Sequence, residues 1–326
     1  MIISCAPFRI SFVGGGSDIP SFFVEHGGAV LSCAIAKYSY AVVHPYYERD
    51  KYNLKYARTE LVQSPDDIVH PLFREAIKLL KVESGIEVAS IADVHSRSGL
   101  GSSSSFCVAL LNGLHAHQNT FPAREKLAEQ ACHIEIDRLG EPIGKQDQYA
   151  SAMGGLNFIE FNKDGGVSVQ PLGLDKDVLD TLENNIMLFD TGIQRDAREV
   201  LGKQADAVER DPAKIESIKS MVANAYELRD LLRKGDCSGF GETLHANWLI
   251  KRSLMDEISS TAIDELYGKA IDAGALGGKL SGAGGGGFLL LYCPAEKQDS
   301  VRRALIGHNE LKFRFDWDGA RIALAQ

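Results

Sequence analysis

Thirty-two of the 326 residues are glycine, and they are spread unevenly. They gather at Gly14-Gly15-Gly16, around Gly99 and Gly101, and between Gly277 and Gly287. Glycine clusters mark backbone that must turn sharply or approach a ligand closely, since other residues pay steric strain there. The chain must therefore accommodate three tight glycine-built segments in an otherwise ordinary framework. Its 44% hydrophobic and 24% charged residues match the usage of soluble globular proteins. That apolar content excludes a disordered chain, and the lack of a regular glycine period excludes a collagen-like fibre. At about 100–200 residues per domain, the length predicts two domains.

Charge narrows the partners. Thirty-five Lys and Arg against 44 Asp and Glu leave a formal charge of −9. Nucleic-acid backbones are held by clustered Lys and Arg, and the sequence has no such cluster, so no nucleic-acid partner is expected. No apolar run approaches the ~20 residues that cross a bilayer, so no membrane span is expected. The opening stretch, MIISCAPFRISF, lacks the pattern of a secretion signal. Six cysteines (Cys5, Cys33, Cys107, Cys132, Cys237, Cys293) form no CxxC pair, which predicts reduced core thiols in a cytoplasmic protein.

Patterning predicts strands over Ile2–Val13, Ala29–Pro45 and Gly85–His95. A helix is expected to start within Ser102–Ser105, and another to run from about Ala123 to Leu139, stopping at Gly140 before Pro142. A strand over Leu156–Phe161 and a turn at 162–166 follow. Later come a strand at Asn185–Asp190, a long helical region over Asp196–Arg233, helices over Gly239–Leu254 and Thr261–Ala273, and a strand at Phe288–Cys293. Leu311, Phe313, Phe315 and Trp317 alternate with charged residues, which predicts a half-buried strand ending in an Asp-Gly turn. Both halves mix strands and helices, with a boundary near 160–185. The class is α+β or α/β with two lobes.

The segment Ser98-Gly99-Leu100-Gly101-Ser102-Ser103-Ser104-Ser105 lies between a strand and an apolar helix. Free N–H groups at the helix start, the helix dipole and the serine hydroxyls together suit a phosphate. A serine there could also ligate magnesium, a hard cation that takes oxygen ligands. It is not a Walker loop, because no Gly-Lys-Ser/Thr follows at the required spacing. Gly282 to Gly287 matches GxGxxG, but a strand follows it where a dinucleotide site needs a helix, so no nicotinamide cofactor is expected. Asp18, after Gly14-Gly15-Gly16-Ser17, suits either hydrogen bonds to a polyhydroxylated substrate or an N-cap for 19–25. Asp147, beside Lys145, reads alone as a surface ion pair.

Taken together and in order, these segments resemble the GHMP small-molecule kinases over essentially the whole chain. The first motif is seen in Pro7–Asp18, the second in Gly99-Leu100-Gly101-Ser102-Ser103, and the third in Lys279–Gly287. The resemblance implies a two-lobed α+β GHMP kinase fold, with an N-terminal ATP-binding lobe (1–170) and a C-terminal ferredoxin-like lobe (171–326). It also implies ATP held by Gly99, Leu100, Gly101, Ser102, Ser103 and Ser104, with Mg²⁺ on Ser102 and Glu135. Asp147 corresponds to the catalytic aspartate of a Gly-x-x-Asp-Gln pattern, and Arg9 to a basic residue near the transferred phosphoryl group. In this chemistry Lys145 would be the cation nearest Asp147. Gly16, Ser17 and Asp18 match a sugar-binding segment, and Gly282, Gly284 and Gly285 would let backbone come close to substrate or phosphates.

Galactokinases carry Gly-Glu-His-Thr-Asp where this chain has Gly15-Gly16-Ser17-Asp18. Residues 12–20, 144–150 and 248–252 instead look like the D-glycero-D-manno-heptose 7-phosphate 1-kinase branch. A sugar already phosphorylated needs a second cationic site; Arg195, Arg198, Lys251 and Arg252 are the candidates, or else a solvated helix face. Two alternatives share the resemblance: a kinase for a free sugar such as fucose, and a catalytically silent sugar and ATP sensor.

Overall fold

The computed structural model describes residues 1–194, 198–203 and 211–326. β1 (Ile2–Val13) and β2 (Gly28–Pro45) form an antiparallel pair at the heart of the first sheet. β2 is long enough to serve two neighbours. Its first third pairs with β6 (Leu156–Phe161), and its last third pairs with β5 (Ile86–Ala92). β3 (Tyr52–Lys55) and β4 (Thr59–Val62) extend the sheet beyond β5, and β7 (Val167–Pro171) pairs with β6. β11 (Arg321–Ala325) closes the opposite edge against β1. The last strand thus belongs to the first sheet, although the chain around it, from 171 onward, was expected in the second lobe.

Pro7 has no N–H to give the ladder, and the β1–β2 register shifts between Pro7 and Phe8. Such irregularities re-aim side chains. Two residues on, the Arg9 N–H points away from β2 and donates to Leu100 O at 3.0 Å, which ties β1 to the glycine-serine turn.

Helices α1 (Pro20–His26), α2 (Pro71–Leu80), α3 (Ser102–His117), α4 (Arg124–Cys132) and α5 (Gln146–Met153) belong to this lobe. α3 is apolar nearly all round and is buried between sheet and helices, as such a helix must be. The helix expected to run on to Leu139 changes character: His133–Arg138 is π-helical. Single π-turns of this kind recur at functional sites, and this one carries Glu135.

The second sheet is antiparallel, in the order β8 (Ile186–Asp190), β10 (Phe288–Tyr292), β9 (Gly277–Leu280). A fourth, ferredoxin-like position beside β8 is reduced to one bridge, Phe189 with Glu310, flanked by hydrogen bonds from Asp190 N–H to Asn309 O and from Leu311 N–H to Leu188 O. α6 (Lys176–Asn185), α7 (Pro212–Arg233), α8 (Phe240–Ser253), α9 (Thr261–Asp272) and α10 (Gln298–Ala304) complete the architecture. Of the helical region expected over 196–233, residues 198–203 are helical and α7 starts afresh at Asp211-Pro212, where the Asp211 carboxylate accepts from Ala213 N–H. The class is α+β.

Residues 311–317 are not the strand their alternation predicts. Phe315 is buried as expected, but Asp316 is buried too and Trp317 is half exposed, the reverse of the alternation. The backbone bonds, however, go to several partners in turn: Leu188 O, the Glu183 carboxylate and Ala34 O. The segment crosses between the two sheets, so no continuous ladder forms. One apolar cluster holds residues of both lobes, including Phe8, Phe12, Leu188, Phe240 and Leu290. Among the described residues no helix is long and apolar enough to cross a membrane.

Candidate active site

Gly99 and Gly101 both have left-handed backbone, with φ of 77° and 78°. A side chain on Gly99 would also meet Ser281 O, because the second and third glycine segments pack backbone to backbone. Gly101 is the N-cap of α3, and no side chain satisfies the first N–H groups there. None of the four serines caps the helix. What remains is a turn of free N–H groups and serine hydroxyls at the positive end of a sixteen-residue helix, the arrangement that receives phosphate. Ser102, Ser103 and Ser104 line a cavity of about 530 Å³, and Leu100 instead points into the core.

Arg9 and Asp147 meet at the floor of this cavity. Arg9 is 4% exposed, and its Nε and Nη2 donate to the two carboxylate oxygens of Asp147, each at 2.7 Å. Its Nη1 donates to Gly99 O at 2.7 Å. One guanidinium thereby fixes both the carboxylate and the turn in a bidentate geometry that lysine cannot reproduce. Asp147 Oδ2 lies beside Gly101, within 3.2 Å of where a Cβ would be. Lys145 does not compensate this charge: its ammonium donates to Gly165 O at 2.7 Å and sits over the Phe23 ring.

Glu135 is 1% exposed. Burial pushes its carboxyl up to about 7, against the hydrogen bonds it receives from Ser104, Ser103 and Gln148. Ser103 Oγ donates at 2.8 Å and Gln148 Nε2 at 2.7 Å. Ser103 thus reaches Glu135 directly, beside the Ser102 that the resemblance pairs with Glu135 as a metal ligand. Ser102 lines the same cavity one step away on the turn. Gln148 falls on the inward face of α5, one residue after Asp147; its Oε1 is buried without a partner.

Asp18 is buried, and the N-cap of α1 is Ile19 with no side-chain bond, so Asp18 does not cap. Its carboxylate accepts from Gly16 N–H at 3.2 Å and Gln146 N–H at 3.3 Å. Gly144 packs so closely that any side chain would strike Asp18 Oδ2, which accounts for the glycine three residues before Asp147. Burial, then the charge of Asp147, raises the Asp18 carboxyl above its ordinary 3.8. The folded protein then holds this proton to higher pH than the unfolded chain. The associated stability is present below 3.8 and lost as pH rises through the folded value. Asp18→Asn should therefore flatten the fall of melting temperature as pH rises above 3.8. Equal slopes in variant and wild type would contradict this. Ser17 has a different role from the one expected. Its hydroxyl is fully buried, donates to Gly14 O at 2.8 Å and accepts from Ala29 N–H at 3.1 Å, so it braces the turn and does not face the cavity.

Of the expected cations, Lys251 lines the cavity and donates to Gly282 O. Arg252, the next residue on α8, turns away to Asp264 Oδ1 at 3.0 Å. Arg198 lines the cavity and pairs with Glu141 at 2.7 Å. Arg195 lies outside the described residues. Gly282 lines the cavity; Gly284 and Gly285 do not, a side chain on Gly284 would strike Ile258, and the Ile258 carbonyl accepts the Gly285 N–H at 2.9 Å. Lys279 also reaches the cavity. The sequence placed it in the third motif, but nothing in its spacing disclosed burial.

A carboxylate clamped by arginine, a phosphate-shaped turn and a buried second carboxylate in one cavity suit phosphoryl transfer. The GHMP kinases N terminal domain matches residues 70–155, and the GHMP kinases C terminal domain matches 228–310, together just over half of the chain. The chain belongs to the GHMP kinase family. It is thus a phosphotransferase with an alcohol group as acceptor and ATP as phosphate donor. A D-glycero-alpha-D-manno-heptose 7-phosphate kinase of Campylobacter jejuni is 28% identical over 92% of this chain and 91% of its own. A bifunctional fucokinase/GDP-fucose pyrophosphorylase of Arabidopsis thaliana is 27% identical over 95% of this chain but only 32% of its own. The crystal structure of a D-glycero-D-manno-heptose 1-phosphate kinase from Bacteroides thetaiotaomicron superposes over both whole chains with a TM-score of 0.82 at 25% identity.

Proposed function

We propose that this kinase transfers the γ-phosphoryl group of ATP to the anomeric (C1) hydroxyl of D-glycero-D-manno-heptose 7-phosphate, with Mg²⁺. The observation that carries the reading is the Arg9–Asp147 pair seated against Gly101 of the phosphate turn. Phosphoryl transfer depends mainly on positioning and charge neutralisation. Asp147 orients the attacking hydroxyl and accepts its proton through oxygen lone pairs that Arg9 leaves unused. Arg9 holds that carboxylate in place and offsets charge that develops on the transferred group. Gly99, Gly101, Ser102, Ser103 and Ser104 receive the triphosphate, and Asp18 and the Gly16 backbone accept sugar hydroxyls. Lobes of 1–170 and 171–326 would then face each other across the transfer site.

The donor set fits a hard cation. Glu135 offers a buried carboxylate, Ser102 and Ser103 offer hydroxyls, and no group of three or more acidic, His or Cys ligands exists among the described residues. Magnesium takes one or two carboxylates and completes its octahedron with phosphate and water. When bound, it would neutralise phosphate charge. Glu135→Gln should raise the Mg²⁺ concentration for half-maximal rate by at least about tenfold. An unchanged requirement would remove Glu135 from the metal site.

The heptose acceptor is supported by the Campylobacter jejuni and Bacteroides relatives. Arg198 at the cavity wall, paired with Glu141, gives a phosphorylated sugar a cation to meet. The fucokinase relative, at nearly equal identity, favours a free sugar as the second reading. ADP release with purified protein, heptose 7-phosphate, the heptose lacking its phosphate, and fucose separates the two. A preference for the 7-phosphate of at least tenfold in kcat/KM is expected; equal or better use of a free sugar would overturn it. Six free cysteines and an ATP requirement fit the cytoplasm.

A further inference from the structure

Two lysines sit inside the protein beside the transfer site, and neither is paired with a carboxylate. Lys279 on β9 is 1% exposed and Lys251 on α8 is 4% exposed. Each ammonium has three donors. Lys279 Nζ gives one to Ser11 O at 2.7 Å, and Lys251 Nζ gives one to Gly282 O. Both carbonyls belong to segments that build the site: Ser11 follows Arg9 on β1, and Gly282 packs on Gly99 of the phosphate turn. Ser11 also lines the cavity, is itself buried, and its hydroxyl has no partner.

Lys251 and Lys279 repel one another and Arg9. The charged groups facing them are Arg9 from β1, Asp18 from the turn after it, and Asp147 from α5. Asp147 is already occupied by Arg9, and Asp18 by two backbone N–H groups. Desolvated like charges without counter-ions cost a fold stability. A protein that keeps them in a cavity has left room for an anion.

We propose that Lys251, Lys279 and the Ser11 hydroxyl form a buried cationic floor that takes the non-bridging oxygens of the transferred phosphoryl group. The proposal rests on the reading that Arg9 and Asp147 flank the transfer. The same chemistry could serve the acceptor's own phosphate; contact with the Gly99–Gly282 junction and with the Arg9 strand favours the transferred group. Burial, then Arg9, lowers the Lys251 ammonium to about 8, and an arriving anion reverses that shift.

The test uses Lys279→Met and Lys251→Met in the full chain, which keep most of the unbranched side chain and remove the charge. Binding is measured by calorimetry with Mg²⁺ and a non-hydrolysable ATP analogue, and separately with heptose 7-phosphate and the unphosphorylated heptose. Each variant should bind the analogue at least about tenfold more weakly and lose kcat with either acceptor, while its affinity for the unphosphorylated sugar holds. Melting temperatures at or above wild type are expected, since an uncompensated buried charge has gone. Analogue affinity within threefold of wild type, or a loss confined to heptose 7-phosphate, would overturn the proposal. Wild type offers a check that needs no variant. At pH 8, analogue binding should draw protons onto the protein, read from buffers of different ionisation enthalpy. No uptake would count against the floor. Failure of every heptose as acceptor would refute the substrate reading and leave the analogue measurements intact.

Discussion

Asp147→Asn should lower kcat by about 10²–10⁴-fold and leave the affinity for ATP within a few-fold of wild type. The amide keeps the size of the carboxylate but cannot take the proton of the attacking hydroxyl. It also turns an N–H₂ toward the Arg9 guanidinium, which now donates 2.7 Å bonds to both oxygens, so the local geometry should loosen. The phosphate turn does not depend on that proton: Gly101 caps α3 by its own backbone, and Arg9 Nη1 still holds Gly99 O. Single-turnover rates at saturating ATP, with analogue binding measured beside them, check this. A kcat within tenfold of wild type would remove Asp147 from the chemical step.

Arg9→Met should be at least as damaging to rate, by about 10³-fold or more, because arginine contacts to the transferring group have that order of effect. It should also lower stability, which Asp147→Asn need not do. Removal of the guanidinium takes three donors from the site at once and strands Gly99 O and the Asp147 carboxylate. An unsatisfied buried acceptor costs about 1–3 kcal/mol. Asp147 is 23% exposed, so water can serve it and the lower end of that range applies. Arg9→Lys should recover fold more than rate, since an ammonium can reach one acceptor but not both carboxylate oxygens in a planar fork. Thermal melting and steady-state kinetics on the two variants separate these effects. Equal rates for Arg9→Lys and wild type would show that the bidentate geometry is immaterial.

Much of this site was legible because glycine and serine leave a signature that few folds share. The turn at Gly99–Ser103 and the helix behind it could be read by order and spacing, whereas Asp147 read alone as a surface ion pair and was singled out only by the resemblance to the GHMP kinases. Local chemistry decided those positions. What spacing could not show was which side chain of a run reaches inward. The Ser103 hydroxyl bonds Glu135, a contact that the run of four serines does not single out, and the π-turn at His133–Arg138 that carries Glu135 has no plain sequence mark. Lys251 and Arg252 are neighbours on one helix, and successive helical residues point about 100° apart; one therefore enters the cavity and the other meets Asp264.

The remaining differences come from tertiary partners. Ser17 looked like a ligand contact and is a brace within its own turn. Gly284 carries no room for a ligand, since Ile258 fills the space a side chain would need. The alternation at 311–317 marks Phe315 as buried but fails at its end, where Asp316 is buried and Trp317 exposed; the backbone there divides its bonds between two sheets and so never forms a strand. The strand at Arg321–Ala325 completes the first sheet from the far end of the chain, a pairing that spans 317 residues between Ser4 and Arg321. No local pattern encodes a partner that distant.

A crystal structure of the complex with Mg²⁺, a non-hydrolysable ATP analogue and heptose 7-phosphate bears most directly on the central claim. The terminal phosphorus should lie over the backbone of Gly101–Ser103, with the C1 hydroxyl within about 3 Å of an Asp147 oxygen. A triphosphate bound away from that turn, or a C1 hydroxyl that faces a different side chain, would contradict it.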